Sequence, residues 1–156
     1  MNYILFDGEY RDNLLPLTYT KPVADLRIGI LTIREKWEKH LGYATTTITE
    51  DYLSEKYPMV EMENNVMINA SVLPNEELVG LIQNIEENQA IYSGNELIAF
   101  YTVEDEERSL DDYTKIEYTG DFIQIKHNWE LFTYNGEALE ADFNLLTKDR
   151  VSAPIP

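Results

Sequence analysis

The chain has 156 residues, of which 44% are hydrophobic and 12% aromatic, enough for one domain-sized core and too rich in both classes for a disordered chain. It contains no cysteine, which excludes disulfides, thiolate metal sites and a cysteine nucleophile. With 29 acidic and 12 basic residues the formal net charge is −17, a sign that repels phosphate backbones and argues against general nucleic-acid binding.

The first apolar run, "NYILF", reads as a buried strand. It meets an acid at Asp7 and has no basic segment before it, so it is not a signal peptide, and no run approaches the length of a membrane helix. A cytoplasmic protein is the expectation. The next stretch, "RDNLLPLTYTKPVADLRIGI", is too irregular for strand or helix, yet its scattered leucines argue for order. A connection this long in a compact domain is usually functional or disordered. "ILTIREKWEKHLG" then places Ile30, Ile33, Trp37 and Leu41 at helical spacing, with Gly42 as the stop. "YATTTIT" reads as a strand, "EDYLSEKY" as a short helix ended by Pro58, and "NVMIN" as a second apolar strand. "LPNEELVGLIQNIEEN" follows as a helix with Asn75 as N-cap and Leu78, Leu81, Ile82 and Ile85 on one face.

This alternation predicts an α/β domain with a mostly parallel sheet and helices on both faces. The later chain changes character. "QAIYSGNELIAFYT" reads as a small antiparallel hairpin around Ser93-Gly94-Asn95. Glu104–Asp112 reads as an acidic surface loop or helix, and its spacing fits no EF-hand loop. "KIEYTGDFIQIK" suggests two short strands, and "NWELFTYNGEALEADFNLLT" suggests helices broken at Asn135-Gly136. Residues 1–150 form the predicted domain, and "VSAPIP" (151–156) reads as a linker.

The pieces Ile4-Leu5-Phe6-Asp7-Gly8, Leu14-Leu15-Pro16-Leu17-Thr18 and Lys21-Pro22 resemble the N-terminal signature of sugar-1-phosphate nucleotidyltransferases, in which a strand, a glycine-rich loop, a "PLT…PK" segment and an amphipathic helix follow one another. "VMINASVLPNEEL" is similar to that family's strand ending in an aspartate, followed by "LP" and a helix. "NWELFTYNGEALEADFNLLT" resembles the domain end in bacterial proteins related to N-acetylglucosamine-1-phosphate uridylyltransferase, where a left-handed β-helix acyltransferase domain comes next. The resemblance implies a Rossmann-like nucleotidyltransferase fold and a Mg²⁺ cofactor. It also implies a nucleoside triphosphate and a sugar phosphate as partners, and homo-oligomers assembled through the following domain.

In nucleotidyl transfer a sugar 1-phosphate oxygen attacks the α-phosphorus of the triphosphate and pyrophosphate leaves. The nucleophile is already anionic, so the chemistry asks for cations and donors that bring two polyanions together, not for a general base. The resemblance therefore assigns Arg11 to the triphosphate, and Lys21 and Arg27 to the α-phosphate or sugar phosphate. Gly8, Thr18 and Thr20 become phosphate donors, Asn69 a sugar or base contact, and Asp7 and Asp142 the metal residues. Asp7 also lies at a strand end, where ligands bind in open α/β sheets. The ordinary alternative makes Arg11, Lys21 and Arg27 surface partners of Asp7, Asp12 and Asp25. His40 reads as structural, His127 as a turn residue, and Trp37 and Trp129 as core anchors.

Four departures separate this chain from the family pattern. Arg11 sits a residue or two out of register with the family's arginine, and, counting from "PLT", the family's lysine falls on Val23, two positions past Lys21. The loop has one glycine, Gly8, followed by Glu9-Tyr10, and the strand-end aspartate is replaced by Asn69-Ala70. Three readings follow: a nucleotidyltransferase, a catalytically retired module of the same fold that binds nucleotide or sugar phosphate or mediates assembly, and an acidic interaction domain unrelated to nucleotides.

Overall fold

The computed structural model describes residues 1–103 and 108–155. Six strands form one sheet: β1 (Asn2–Phe6), β2 (Thr46–Ile48), β3 (Asn64–Asn69), β4 (Gln89–Ser93), β5 (Glu96–Val103) and β6 (Thr114–Glu117), in the order β2-β1-β3-β5-β4-β6. The pairs β1–β2, β1–β3 and β4–β6 are parallel, whereas β5 runs antiparallel to both β3 and β4. One reversed strand in an otherwise parallel sheet is the signature of the hairpin read from "YSGNE": Ser93 pairs with Glu96, so Gly94-Asn95 form a two-residue turn. The α/β class with a mostly parallel sheet and an antiparallel hairpin is what the alternation predicts.

The helices are α1 (Ile33–Leu41), α2 (Asp51–Ser54), α3 (Glu76–Gln83), α4 (Glu130–Thr133) and α5 (Asn135–Thr147). α1 starts at a capping box in which Thr32 and Glu35 each accept the other's backbone N–H, and it ends at Gly42. α3 starts at Asn75, whose side chain accepts the Leu78 N–H. Both helices lay their apolar stripes on one face of the sheet. Ile33, Trp37 and Leu41 join Leu78, Val79 and Ile82 above Tyr3, Leu5, Val66, Ile68 and Ile91 in a single core. Trp37 is fully buried, and its indole N–H donates to the Val72 carbonyl at 2.9 Å. On the other face the register lines Ile4 up with Met67 and Phe100, and a row of rings runs Phe6–Phe100–Tyr113 with centroids 5.9 and 5.7 Å apart.

The segment from Asp7 to Thr32 is ordered into three 3-10 turns, at Asp12–Leu14, Leu17–Tyr19 and Val23–Asp25. Leu14, Val23, Ala24, Leu26 and Ile28 drop into the core, which explains why the scattered leucines bring order.

Three local expectations differ from what is found. "DFIQIK" forms no strand; it runs beside the segment after β3, with an isolated bridge between Val72 and Gln124, although Ile125 is buried. The break between α4 and α5 falls at Tyr134, and Gly136 lies inside α5. Trp129 is not a core anchor: it is 63% exposed and stacks on His127, with ring centroids 4.3 Å apart. Of the acidic segment read as a loop or helix, residues 104–107 lie outside the described residues, and Leu110–Asp112 form a 3-10 turn. No helix among the described residues is long and apolar enough to cross a membrane.

Candidate functional site

Where β1 ends, the chain turns through Gly8 with φ +73, a left-handed conformation that costs any L side chain about 1–2 kcal/mol. A Cβ there would also lie 2.9 Å from the Asn69 Oδ1 at the end of β3. The turn brings these two strand ends together at the C-terminal rim of the parallel strands, the edge at which open α/β sheets take their ligands. Among the described residues the backbone N–H groups of Gly8, Glu9 and Tyr10 bond to no protein group. Consecutive free N–H groups beside a left-handed turn form a concave donor surface suited to anions.

Asp7 and Arg11 hold this turn from beneath. Both are 7% exposed and form an ion pair at 3.0 Å. Asp7 also accepts from the Val23 N–H at 2.8 Å and from the Thr49 hydroxyl. The Arg11 guanidinium reaches the Thr18 carbonyl, the Tyr52 hydroxyl at 3.0 Å and the Glu50 carboxylate at 3.5 Å. The Thr18 hydroxyl returns a bond to the Arg11 carbonyl. Each nitrogen of the guanidinium thereby has a protein partner, three of its five donors in hydrogen bonds, and the pair ties the 18–23 segment to the end of β1. Lys21 lies inside that tied segment, half-buried, with no partner among the described residues. Thr20 is exposed beside it.

Beyond Asn69 a polar seam continues along the rim. The Asn69 carboxamide donates to the Leu97 carbonyl at 3.0 Å and accepts from both the N–H and the hydroxyl of Ser71. Gln124 donates to Ser71 and to Glu96. Glu96 also accepts from the Tyr10 hydroxyl and the Lys126 ammonium, each at 2.6 Å, and Lys126 lies over the Tyr10 ring. Burial would push the Glu96 carboxyl up, but the bonds from Lys126, Tyr10 and Gln124 outweigh it and hold the group below its usual value. The accepted bond from Tyr10 in turn holds that phenol above its usual value. No motif in the sequence marks Tyr10, Glu96, Gln124 and Lys126 as site residues; their meeting depends on the hairpin and the bridge at Gln124.

The other assigned residues lie elsewhere. Asp142, on α5, pairs with Lys36 of α1, and its Oδ2 accepts the N–H groups of Ile30 and Leu31 at 2.9 and 3.0 Å. Gly29, at φ +72, leaves no room for a side chain: a Cβ would lie 2.7 Å from the Asp142 Oδ2. Asp142 therefore fastens the last turn of the loop to α5 and shares no partner with Asp7. Arg27 is exposed, donates to the Ile30 carbonyl and acts electrostatically on Lys36, so it too belongs to the α5 side. Arg27 takes neither Asp7 nor Asp25 as partner; Asp25 is bound by Arg34. Burial lowers the Lys36 ammonium from its usual value against the pull of Asp142, and burial likewise lowers His40.

Asp7, Asn69 and Asp142 do not come together as one Mg²⁺ site, and Asp7 and Asp142 line different cavities. Asp7 spends both oxygens on protein donors, Asn69 offers a carboxamide already bonded to Ser71, and Asp142 is remote from both. No group of three or more metal-ligating side chains gathers among the described residues.

No curated protein matches the chain. A family model described as sugar nucleotidyl transferase matches residues 3–151, nearly the whole sequence, and covers both the rim and α5. The chain belongs to the sugar nucleotidyl transferase family.

Proposed function

We propose that the domain binds a nucleoside triphosphate and a sugar 1-phosphate at the C-terminal rim and transfers the nucleotidyl group between them. One observation carries this reading: the unbonded N–H groups of Gly8, Glu9 and Tyr10 at the end of β1 offer several donors to phosphate oxygens in a chain that is otherwise strongly acidic. Lys21 adds the positive charge, from a segment fixed to the same turn through Thr18 and Val23. Arg11 and Asp7 position that donor surface, and Asn69 fixes its far side. The likeness to proteins related to N-acetylglucosamine-1-phosphate uridylyltransferase makes UTP and dTTP the first nucleotides to supply.

A second reading is favoured by the protein partners at every nitrogen of Arg11 and by the carboxamide at the end of β3: a module that binds nucleotide or sugar phosphate without turning it over, or that mediates assembly of an acyltransferase. Pyrophosphate release separates the two. The transfer reading expects pyrophosphate only when a triphosphate, a sugar 1-phosphate and Mg²⁺ are present together, and a severalfold or greater loss in Lys21→Ala. Binding of either partner without release of pyrophosphate from any pair would establish the second.

A further inference from the structure

We propose that a cavity of about 320 Å³ between α1, α5 and the segments 73–75 and 121–123 is a second binding site, for an uncharged ring-sized molecule that carries one hydrogen-bonding head group such as an amide. The volume lies at the lower end of small-molecule sites. Leu73, Phe122 and Tyr134 supply apolar walls, and the floor is the pair Lys36–Asp142.

The unused hydrogen-bonding capacity of that floor defines the head group. Lys36 is 4% exposed and its ammonium has three donors, yet it makes one bond among the described residues, to the Asp142 Oδ2. Asp142 is 3% exposed; its Oδ2 takes Lys36 and two backbone N–H groups, while its Oδ1 receives none from the described residues. Polar atoms in folded proteins seldom go without partners, and here two Lys36 donors and the Asp142 Oδ1, open to the cavity, have none from the described residues. An amide, with a carbonyl to accept from Lys36 and an N–H to give to Asp142, completes both.

The charge of the lining sets the sign. Asp121, Glu137 and Asp142 outnumber Lys36, so an anion is repelled. An organic cation would meet the Lys36 ammonium at the floor. The site is therefore closed to the phosphorylated ligands proposed for the rim. Asp142 also holds the N–H groups of Ile30 and Leu31, so a ligand here touches the carboxylate that fastens the end of the β1–α1 loop.

Protein-observed NMR titration with benzamide, benzoate and benzylammonium tests this, in wild type and in Ala141→Trp, an exposed position in the cavity lining. Benzamide is expected to shift the resonances of Ile123, Tyr134 and Ala138 saturably at millimolar concentration. Benzoate should bind about tenfold more weakly or not at all, given the net negative lining. Ala141→Trp should keep the wild-type spectrum elsewhere and lose the response. No saturable shift, equal or tighter binding of benzoate or benzylammonium, or an undiminished response in a folded Ala141→Trp would each overturn the proposal.

Discussion

Two buried ion pairs fasten the long β1–α1 connection, and they are built differently. At its start, Arg11 meets Asp7, a backbone carbonyl, a tyrosine hydroxyl and a second carboxylate, so each nitrogen of its planar fork has a protein partner. At its end, Lys36 meets only Asp142, and the rest of its donors face a cavity. A guanidinium with a protein partner at each nitrogen is a structural tie, whereas a compact ammonium with one partner keeps more of its capacity for something else. The functional meaning of a cation thus lies in its unspent donors, which a residue's place beside a motif does not reveal.

The largest effect should come from cutting the arginine tie. Arg11→Ala leaves Asp7 buried and unpaired and releases Thr18, and should cost about 3–5 kcal/mol in urea unfolding. Arg11→Lys should recover only part of this, because an ammonium cannot reproduce the fork.

The second pair should cost about 3 kcal/mol when Lys36→Met strands the Asp142 charge. Here the comparison can be sharpened. Adding Asp142→Asn to Lys36→Met should restore part of the loss, since both charges are gone and a carboxamide oxygen still accepts from Ile30 and Leu31. The matching double change, Asp7→Asn with Arg11→Met, should restore little, because Arg11 also ties Thr18 and Tyr52. Equal recovery at both ends would erase the distinction drawn between them.

Gly8→Ala comes next, at about 1–2 kcal/mol for a left-handed alanine, plus displacement of the Asn69 side chain. The smallest effect is a pH dependence. Glu96 is held below its usual value, so its contribution is complete above the ordinary carboxylate range and is lost as pH falls through its lowered folded value. Glu96→Gln should therefore lose less stability than wild type in thermal unfolding on acidification below the ordinary carboxylate value of 4.5.

Much of the architecture could be read in the sequence because local signals and burial agree. "YILF" is apolar throughout and is buried from Tyr3 to Leu5, Thr32 and Glu35 announce α1, Asn75 announces α3, and Gly94-Asn95 makes the hairpin. What could not be read depends on contacts far apart in the chain. Lys36 and Asp142 are 106 positions apart and Glu96 and Lys126 30 apart, so neither pairing leaves a local pattern. Trp129 misled because an indole usually seeks a core; here it covers the imidazole of His127 instead. At the rim the sequence marked the turn at Asp7-Gly8 and assigned the triphosphate to Arg11, a residue whose ties to Asp7, Thr18 and Tyr52 no local pattern announces. The free backbone donors of Gly8–Tyr10 carry no side-chain signal beyond the single glycine.

The most direct test of the central claim is thermal unfolding of wild type and Lys21→Ala against each nucleoside triphosphate and sugar 1-phosphate, with and without Mg²⁺. A ligand at a hundred times its dissociation constant adds about 2.7 kcal/mol, a rise of several degrees for a domain of this size. Such a rise is expected for one triphosphate in wild type. Lys21→Ala should melt at the same temperature without ligand and show a much smaller rise with it. No rise with any nucleotide or sugar phosphate at millimolar concentration would contradict a working phosphate site at the rim.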